Sequence, residues 1–156
     1  MKKTLTDLQE YVNEIATAYA YRDAYRYINK EDKIVGKTYK QFASDIFAVA
    51  SWFVNRGWEK RHIAIIGSTS YEWVGTFLGI ACSGNVVVPI DKMLTTDEML
   101  GLLCLGDVEV VFLSDEFASM SDAIEQAETG VGEVINKETT GNGIYITVKF
   151  ESGKEA

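Results

Sequence analysis

Apolar residues recur at helical spacing along the first sixty positions, with one short alternating stretch between them. Leu8, Tyr11, Val12, Ile15 and Tyr19 predict a helix over 7–20, and Thr6 with Gln9 three positions on forms a capping box at its start. "AYRYIN" (24–29) and "KIVGKT" (33–38) flank the polar "KED" and predict a β-hairpin. A second capping pair, Thr38 and Gln41, opens a longer helix with Phe42, Ile46, Val49, Ala50, Phe53 and Val54 on its apolar face, closed by Gly57 as a left-handed cap.

Beyond Gly57 the pattern changes to strands alternating with helices. "HIAIIG" (62–67), "VVVPI" (86–90) and "VEVVFLS" (108–114) are near-continuous apolar strands. The helices between and after them span 70–84, 95–107 and 117–128; the second opens on the capping pair Thr95 and Glu98. Strands of this kind, separated by single helices, fit a parallel sheet covered on both faces. The last segment differs: "IYITVKF" alternates and "TTGNG" (139–143) before it is turn chemistry, so 133–150 reads as a hairpin, with "EVIN" also suited to one more strand of the sheet. The expected fold is α/β: a largely parallel sheet with helices on both faces, an N-terminal helix with a small antiparallel hairpin, and a C-terminal β-hairpin. Residues 1–132 form the main subdomain of this reading and 133–156 a divergent hairpin tail.

Composition narrows the function. The 156 residues suit one ordinary domain, and 47% hydrophobic with 24% charged residues is a globular balance. The net charge of −8 lies mostly in the C-terminal quarter, where residues 114–156 hold 9 acidic side chains against 3 basic ones. There is no basic stripe to neutralise phosphates, so nucleic acid is not an expected partner, nor is an anionic membrane surface. No apolar run approaches the roughly 18 residues of a transmembrane span. The N-terminus lacks the apolar core of a signal peptide. Cys82 and Cys104, without CxxC spacing, read as reduced buried thiols, and the expected location is cytoplasmic.

Five features invite a chemical reading, and each has a structural alternative that fits better. "GSTS" (67–70) joins a strand to a helix, where backbone N–H groups hold anions, but it lacks the further glycines of GxGxxG and the lysine of a P-loop. It reads as a turn whose serines cap the helix. "TTGNG" reads as a hairpin turn. His62, the sole histidine, has no nucleophile or orienting partner at a recognised spacing. Tyr71, Trp73 and Phe77 form an aromatic stripe with Val74 and Ile80, typical of core. Asp91, after Pro89 at the carboxyl end of a strand, sits where open α/β sheets bind ligands but also where a carboxylate caps a loop. No catalytic, cofactor-binding or metal-binding residue is assigned from these features.

Residues 38–114 resemble the N-terminal subdomain of the adenylate-forming (AMP-binding) superfamily of acyl-CoA synthetases and ligases. The matching stretches are "KTYKQFASDIFAVASWFVNRGWEKRHIAIIGSTSYEWVGTFLGIACSGNVVVPID" and "TTDEMLGLLCLGDVEVVFLSDE". They supply the Thr38–Tyr39 helix start, Ala43 and Ala50, Gly57, the strand at 63–65, the Tyr71–Trp73 helix, Ala81, Gly84 and the Pro89–Asp91 strand end. Lys60, Arg61 and His62 stand where the family often has Gly-Asp. The resemblance implies an enzyme that activates a carboxylate with ATP as an acyl-adenylate and passes the acyl group to a thiol such as coenzyme A.

The family's Ser/Thr/Gly-rich phosphate loop, its Tyr-Gly-x-Thr-Glu element and its catalytic lysine have no counterpart in these residues. The chain is therefore expected to be a truncated N-terminal fragment, catalytically incomplete by itself. ATP, magnesium and coenzyme A would be cofactors of the full-length family and not of this fragment. A carboxylic acid substrate is expected only with the rest of the enzyme, and self-association through exposed apolar surface is expected for the fragment. The alternative is a non-catalytic interaction or scaffold domain derived from the same family; a mononucleotide module built on the "GSTS" turn is a third reading. The tail also resembles the hairpin of small Tudor-like or SH3-like barrels.

Overall fold

A computed structural model describes residues 7–29, 31–126, 133–140 and 143–149, with side chains up to residue 124. In chain order the elements are α1 (Leu8–Ala18), β1 (Asp23–Ile28), β2 (Ile34–Thr38), α2 (Tyr39–Asn55), β3 (His62–Ile66), α3 (Tyr71–Cys82), β4 (Val86–Ile90), α4 (Thr96–Leu105), β5 (Val108–Leu113), α5 (Met120–Gln126), β6 (Glu133–Thr140) and β7 (Gly143–Lys149), with a 3₁₀ turn at Asp115–Phe117. The chain divides into two compact units, Met1–Glu59 with Ser70–Gly84 and Lys60–Thr69 with Asn85–Ala156.

The first unit packs α1, the β1–β2 hairpin, α2 and α3. Helix α1 is capped by Asp7, whose carboxylate accepts from the Glu10 N–H at 2.7 Å. Thr6, and with it the expected capping box, lies outside the described residues; the Gln9 amide donates to the Cys82 carbonyl at 2.5 Å, satisfying an end group of α3. The expected apolar face of α1 is narrower than its periodicity suggests: only Val12 is buried, while Leu8, Tyr11 and Tyr19 remain more than 40% exposed.

Helix α2 follows the expected pattern closely. Thr38 and Gln41 form the reciprocal capping box, and Phe42, Ala43, Ile46, Ala50 and Phe53 are buried, although Val54 is exposed. Its end is a Schellman motif. Gly57 sits at φ +67°, its N–H bonds to the Val54 carbonyl, and the Trp58 N–H reaches back to Phe53. The rings of Trp58 and Phe53, 6.0 Å apart, supply the hydrophobic contact that accompanies this motif.

Helices α2 and α3 approach closely at Gly79, where a β-carbon would lie 2.5 Å from Val49 Cγ1 and 3.1 Å from the Ile46 carbonyl oxygen. The need for glycine there is steric, because the space is already filled.

In the second unit one sheet runs β4-β3-β5-β7-β6. Strands β4 and β5 flank β3 in parallel, with Ile66 opposite both Ile90 and Leu113. The C-terminal hairpin continues this sheet, since β7 pairs antiparallel with β5 and β6 pairs with β7. All of residues 63–66 are buried, which explains why β3 reads as a continuous apolar run without alternation. Ala64, Ile66, Ile90, Val111 and Leu113 pack with Met99 and Leu103 of α4 and with Met120 and Ile124 of α5.

Pro89 lies within β4, as the strand expected over 86–90 implies. That strand is an edge, so the N–H that proline lacks is not needed by a second neighbour. The last expected helix, 117–128, is split into the 3₁₀ turn and the shorter α5. Residues 127 and 128 of that expectation lie outside the described residues.

Gly79→Ala is expected to destabilise the chain by about 1–3 kcal/mol through overpacking, and Val49→Ala in the same chain to recover part of the loss. Gly101→Ala, in α4 where nothing lies within 4 Å of the added carbon, is the contrasting case. It should stabilise by up to about 1 kcal/mol. Urea unfolding midpoints of the four chains check this; equal losses at Gly79 and Gly101 would remove the packing explanation.

Candidate functional site

Strand β3 leads by α3 to β4 on one side, and the chain then crosses to β5 on the other. The connections leaving β3 and β5 therefore diverge, and the crevice between them is the topological switch point where open α/β sheets bind ligands. The parallel register brings the ends of β3, β4 and β5 to one level, and with them the segments that begin at Gly67, Asp91 and Ser114.

These segments are tied to one another. A β-carbon on Gly67 would stand 2.7 Å from Ser114 Oγ, so glycine here permits the two connections to meet. The Ser114 N–H donates to the Ile66 carbonyl at 3.0 Å. The Ser68 N–H donates to Glu116 Oε1 at 2.7 Å, and the Ser114 hydroxyl donates to the same oxygen at 3.3 Å. Lys92 Nζ donates to Ser68 Oγ at 2.6 Å. Hydrogen bonding from Ser68, first its hydroxyl and then its backbone N–H, holds the Glu116 carboxyl below the usual range, with further help from Ser114 and the charge of Lys92. The Ser68 N–H of the "GSTS" turn thus faces an anion the chain already carries. Ser70 caps α3 by accepting from the Trp73 N–H at 3.1 Å, as expected of that turn.

Sequence reasoning did not single out Lys92 or Glu116. The available signal was positional: "PIDK" and "LSDE" both follow the carboxyl ends of apolar strands.

The remaining candidates have structural partners. Asp91 accepts the Met93 N–H at 2.9 Å and so caps its own loop. The His62 Nδ1–H donates to the Gly106 carbonyl at 2.6 Å, which anchors the end of α4 and fixes the ring. "TTGNG" is a hairpin connection, with Thr140 paired to Gly143; residues 141 and 142 lie outside the described residues.

The cysteines differ from expectation in one respect. Cys82 is buried, which raises its thiol pKa, with Asp7 adding to the effect, whereas Cys104 is exposed. Among the described residues no three His, Cys, Asp or Glu side chains are placed to hold a metal ion, and no helix is long and apolar enough to cross a membrane.

Of the aromatic stripe, Tyr71 belongs to the core of the first unit, while Trp73 and Phe77 are half-buried. The Tyr71 ring lies 5.6 Å from Tyr25, 6.3 Å from Tyr27 and 5.4 Å from Phe42, with the Lys37 ammonium 5.2 Å from its centre. Its hydroxyl donates to Asp45 Oδ2 at 2.6 Å. Trp73 and Phe77 stack 5.5 Å apart.

Fold and site together define an α/β protein with three parallel strands extended by an antiparallel hairpin, whose switch-point connections are hydrogen-bonded to one another. The chain belongs to the AMP-binding enzyme family, which it matches over residues 12–152. It is similar to the N-terminal domain of FACL13 from Mycobacterium tuberculosis, with 25% identity and a TM-score of 0.69 over 80% of this chain and 31% of that one. A fatty acyl CoA synthetase of Mycobacterium tuberculosis is 26% identical, with a TM-score of 0.69 over 80% of this chain and 24% of that one. The adenylation domain of a carboxylate reductase from Mycobacterium chelonae shares the fold at 16% identity and a TM-score of 0.67, over 80% and 21% of the two chains. The chain spans less than a third of each of these structures, and its likeness is to the N-terminal region of an adenylate-forming ligase. No curated protein matches its sequence.

Burial, then the hydrogen bond to Asp45 and that group's charge, push the Tyr71 phenol above its ordinary value. A raised folded-state pKa contributes stability that is complete below the unfolded tyrosine value of about 10 and declines as pH rises beyond it. Tyr71→Phe is expected to cost about 1 kcal/mol near neutral pH. Its disadvantage relative to the native chain should shrink above about pH 10, as the phenol ionises in the unfolded state. Urea unfolding of both chains across the alkaline range tests this, and a difference independent of pH would contradict it.

Proposed function

We propose that the chain is the N-terminal scaffold region of an ATP-dependent ligase that activates a carboxylic acid as its acyl-adenylate and transfers the acyl group to a thiol such as coenzyme A. The observation that carries this reading is the family match over residues 12–152, together with the likeness to the N-terminal domain of FACL13. ATP, magnesium and coenzyme A belong to the longer enzyme of this reading. The described residues do not fit ATP: the Ser68 N–H at the switch point bonds Glu116, and the Ser70 hydroxyl caps α3. Phosphate-gripping chemistry is accordingly assigned to groups outside these residues. A cytoplasmic location suits its two free cysteines.

A second reading is a non-catalytic interaction domain that associates with itself. It is favoured by Ile28 and Ile34, paired across the β1–β2 hairpin yet 68% and 77% exposed, and by Leu105 at 84%.

A chimera in which residues 12–126 replace the matching segment of the Mycobacterium tuberculosis fatty acyl CoA synthetase should retain acid-dependent release of pyrophosphate from ATP. The isolated chain should show no micromolar ATP binding by titration calorimetry. A folded chimera inactive towards every acid that the parent accepts, or tight ATP binding by the isolated chain, would overturn the ligase-scaffold reading. For the second reading, sedimentation velocity should show a mass that rises with concentration, and Ile28→Lys with Ile34→Lys should abolish the rise. A monomer at all concentrations counts against it.

A further inference from the structure

We infer that Glu116 is a built-in anion that closes the switch-point crevice, withholding the Ser68 N–H from external phosphate or carboxylate groups until the Glu116 side chain is removed or swings away. The contacts come from three separate connections at the same end of the sheet. Ser68 follows β3, Lys92 follows β4, and Ser114 and Glu116 follow β5, all brought to one level by the parallel register at Ile66, Ile90 and Leu113.

At the centre is a single carboxylate oxygen, Glu116 Oε1, which accepts from the Ser68 N–H at 2.7 Å and from the Ser114 hydroxyl at 3.3 Å. Lys92 reaches the same group through Ser68 Oγ at 2.6 Å, so the cluster pairs one positive with one negative charge. Without the Glu116 carboxylate, what remains is an ammonium, a backbone N–H and the Ser68 and Ser114 hydroxyls, the donor set that suits an oxyanion. A tethered carboxylate is present at an effective concentration that a free anion in millimolar amounts does not exceed, so the internal ligand wins in the native chain. Glu116 is nevertheless exposed, and the contact is therefore one that a side-chain rotation can open without unpacking the core.

The test follows the Ser68 amide resonance of the full chain during titration with inorganic phosphate, in the native protein and in Glu116→Ala, Glu116→Gln and Glu116→Ala/Lys92→Ala. The native Ser68 resonance should stay in place. Glu116→Ala should show a saturable, salt-sensitive shift, with an affinity at least about tenfold above any residual native binding, the size expected for loss of one charge-assisted hydrogen bond. Adding Lys92→Ala should remove most of that shift. Glu116→Gln keeps an acceptor oxygen without the charge and should fall between the native chain and Glu116→Ala. If Glu116→Ala fails to fold, a phosphate response of Glu116→Gln above the native level supports the inference, and one equal to native overturns it. Faster exchange of the Ser68 amide in a folded Glu116→Ala with no response to phosphate would reduce Glu116 to a structural tie and overturn the inference, as would a native chain that responds as strongly as the variant.

Discussion

The second unit depends on the burial of β3. Its residues 63–66 are all shielded from water, and its backbone is paired in parallel on both sides, so neither its register nor its direction can change without exposing apolar surface or unpaired backbone groups. The position of β3 at the centre of the parallel part dictates where the next two strands must lie. It also places three connecting segments at one end of the sheet. The switch-point crevice is thus a consequence of burying this strand, and it precedes any chemistry the crevice performs.

What occupies that crevice is decided by a few polar side chains. In many α/β folds the corresponding turn presents backbone N–H groups to a ligand phosphate. Here Glu116 meets the Ser68 N–H, and Gly67 owes its identity to the close approach of Ser114. The turn behaves as a joint between connections. This agrees with the proposed scaffold reading, and it accounts for the departure of "GSTS" from phosphate-binding glycine patterns.

Much of the local structure was legible in the residues because its causes are local. The capping boxes at Thr38–Gln41 and Thr95–Glu98 and the left-handed cap at Gly57 each involve groups within a few positions, so their spacing suffices to find them. The limits of β4 and the start of β3 follow for a similar reason, since apolar runs end where polar turn residues begin. What local reading misses concerns neighbours remote in sequence. The Gln9 side chain reaches the Cys82 carbonyl, Cys104 is exposed on an apolar-looking helix, and Pro89 is accommodated inside its strand because that strand is an edge.

The sequence by itself determined the alternation of helices and strands, the α/β class and the resemblance to the adenylate-forming family, because periodicity, capping and turn chemistry are written at short range. Tertiary structure decided which strand lies at the centre, that the C-terminal hairpin adds to the same sheet through β5, and that Lys92 and Glu116 meet the "GSTS" turn. Lys92 and Glu116 lie 24 and 48 positions from Ser68. Only the parallel pairing of buried strands brings the three together; the chain itself shows no more than that each follows the carboxyl end of an apolar run.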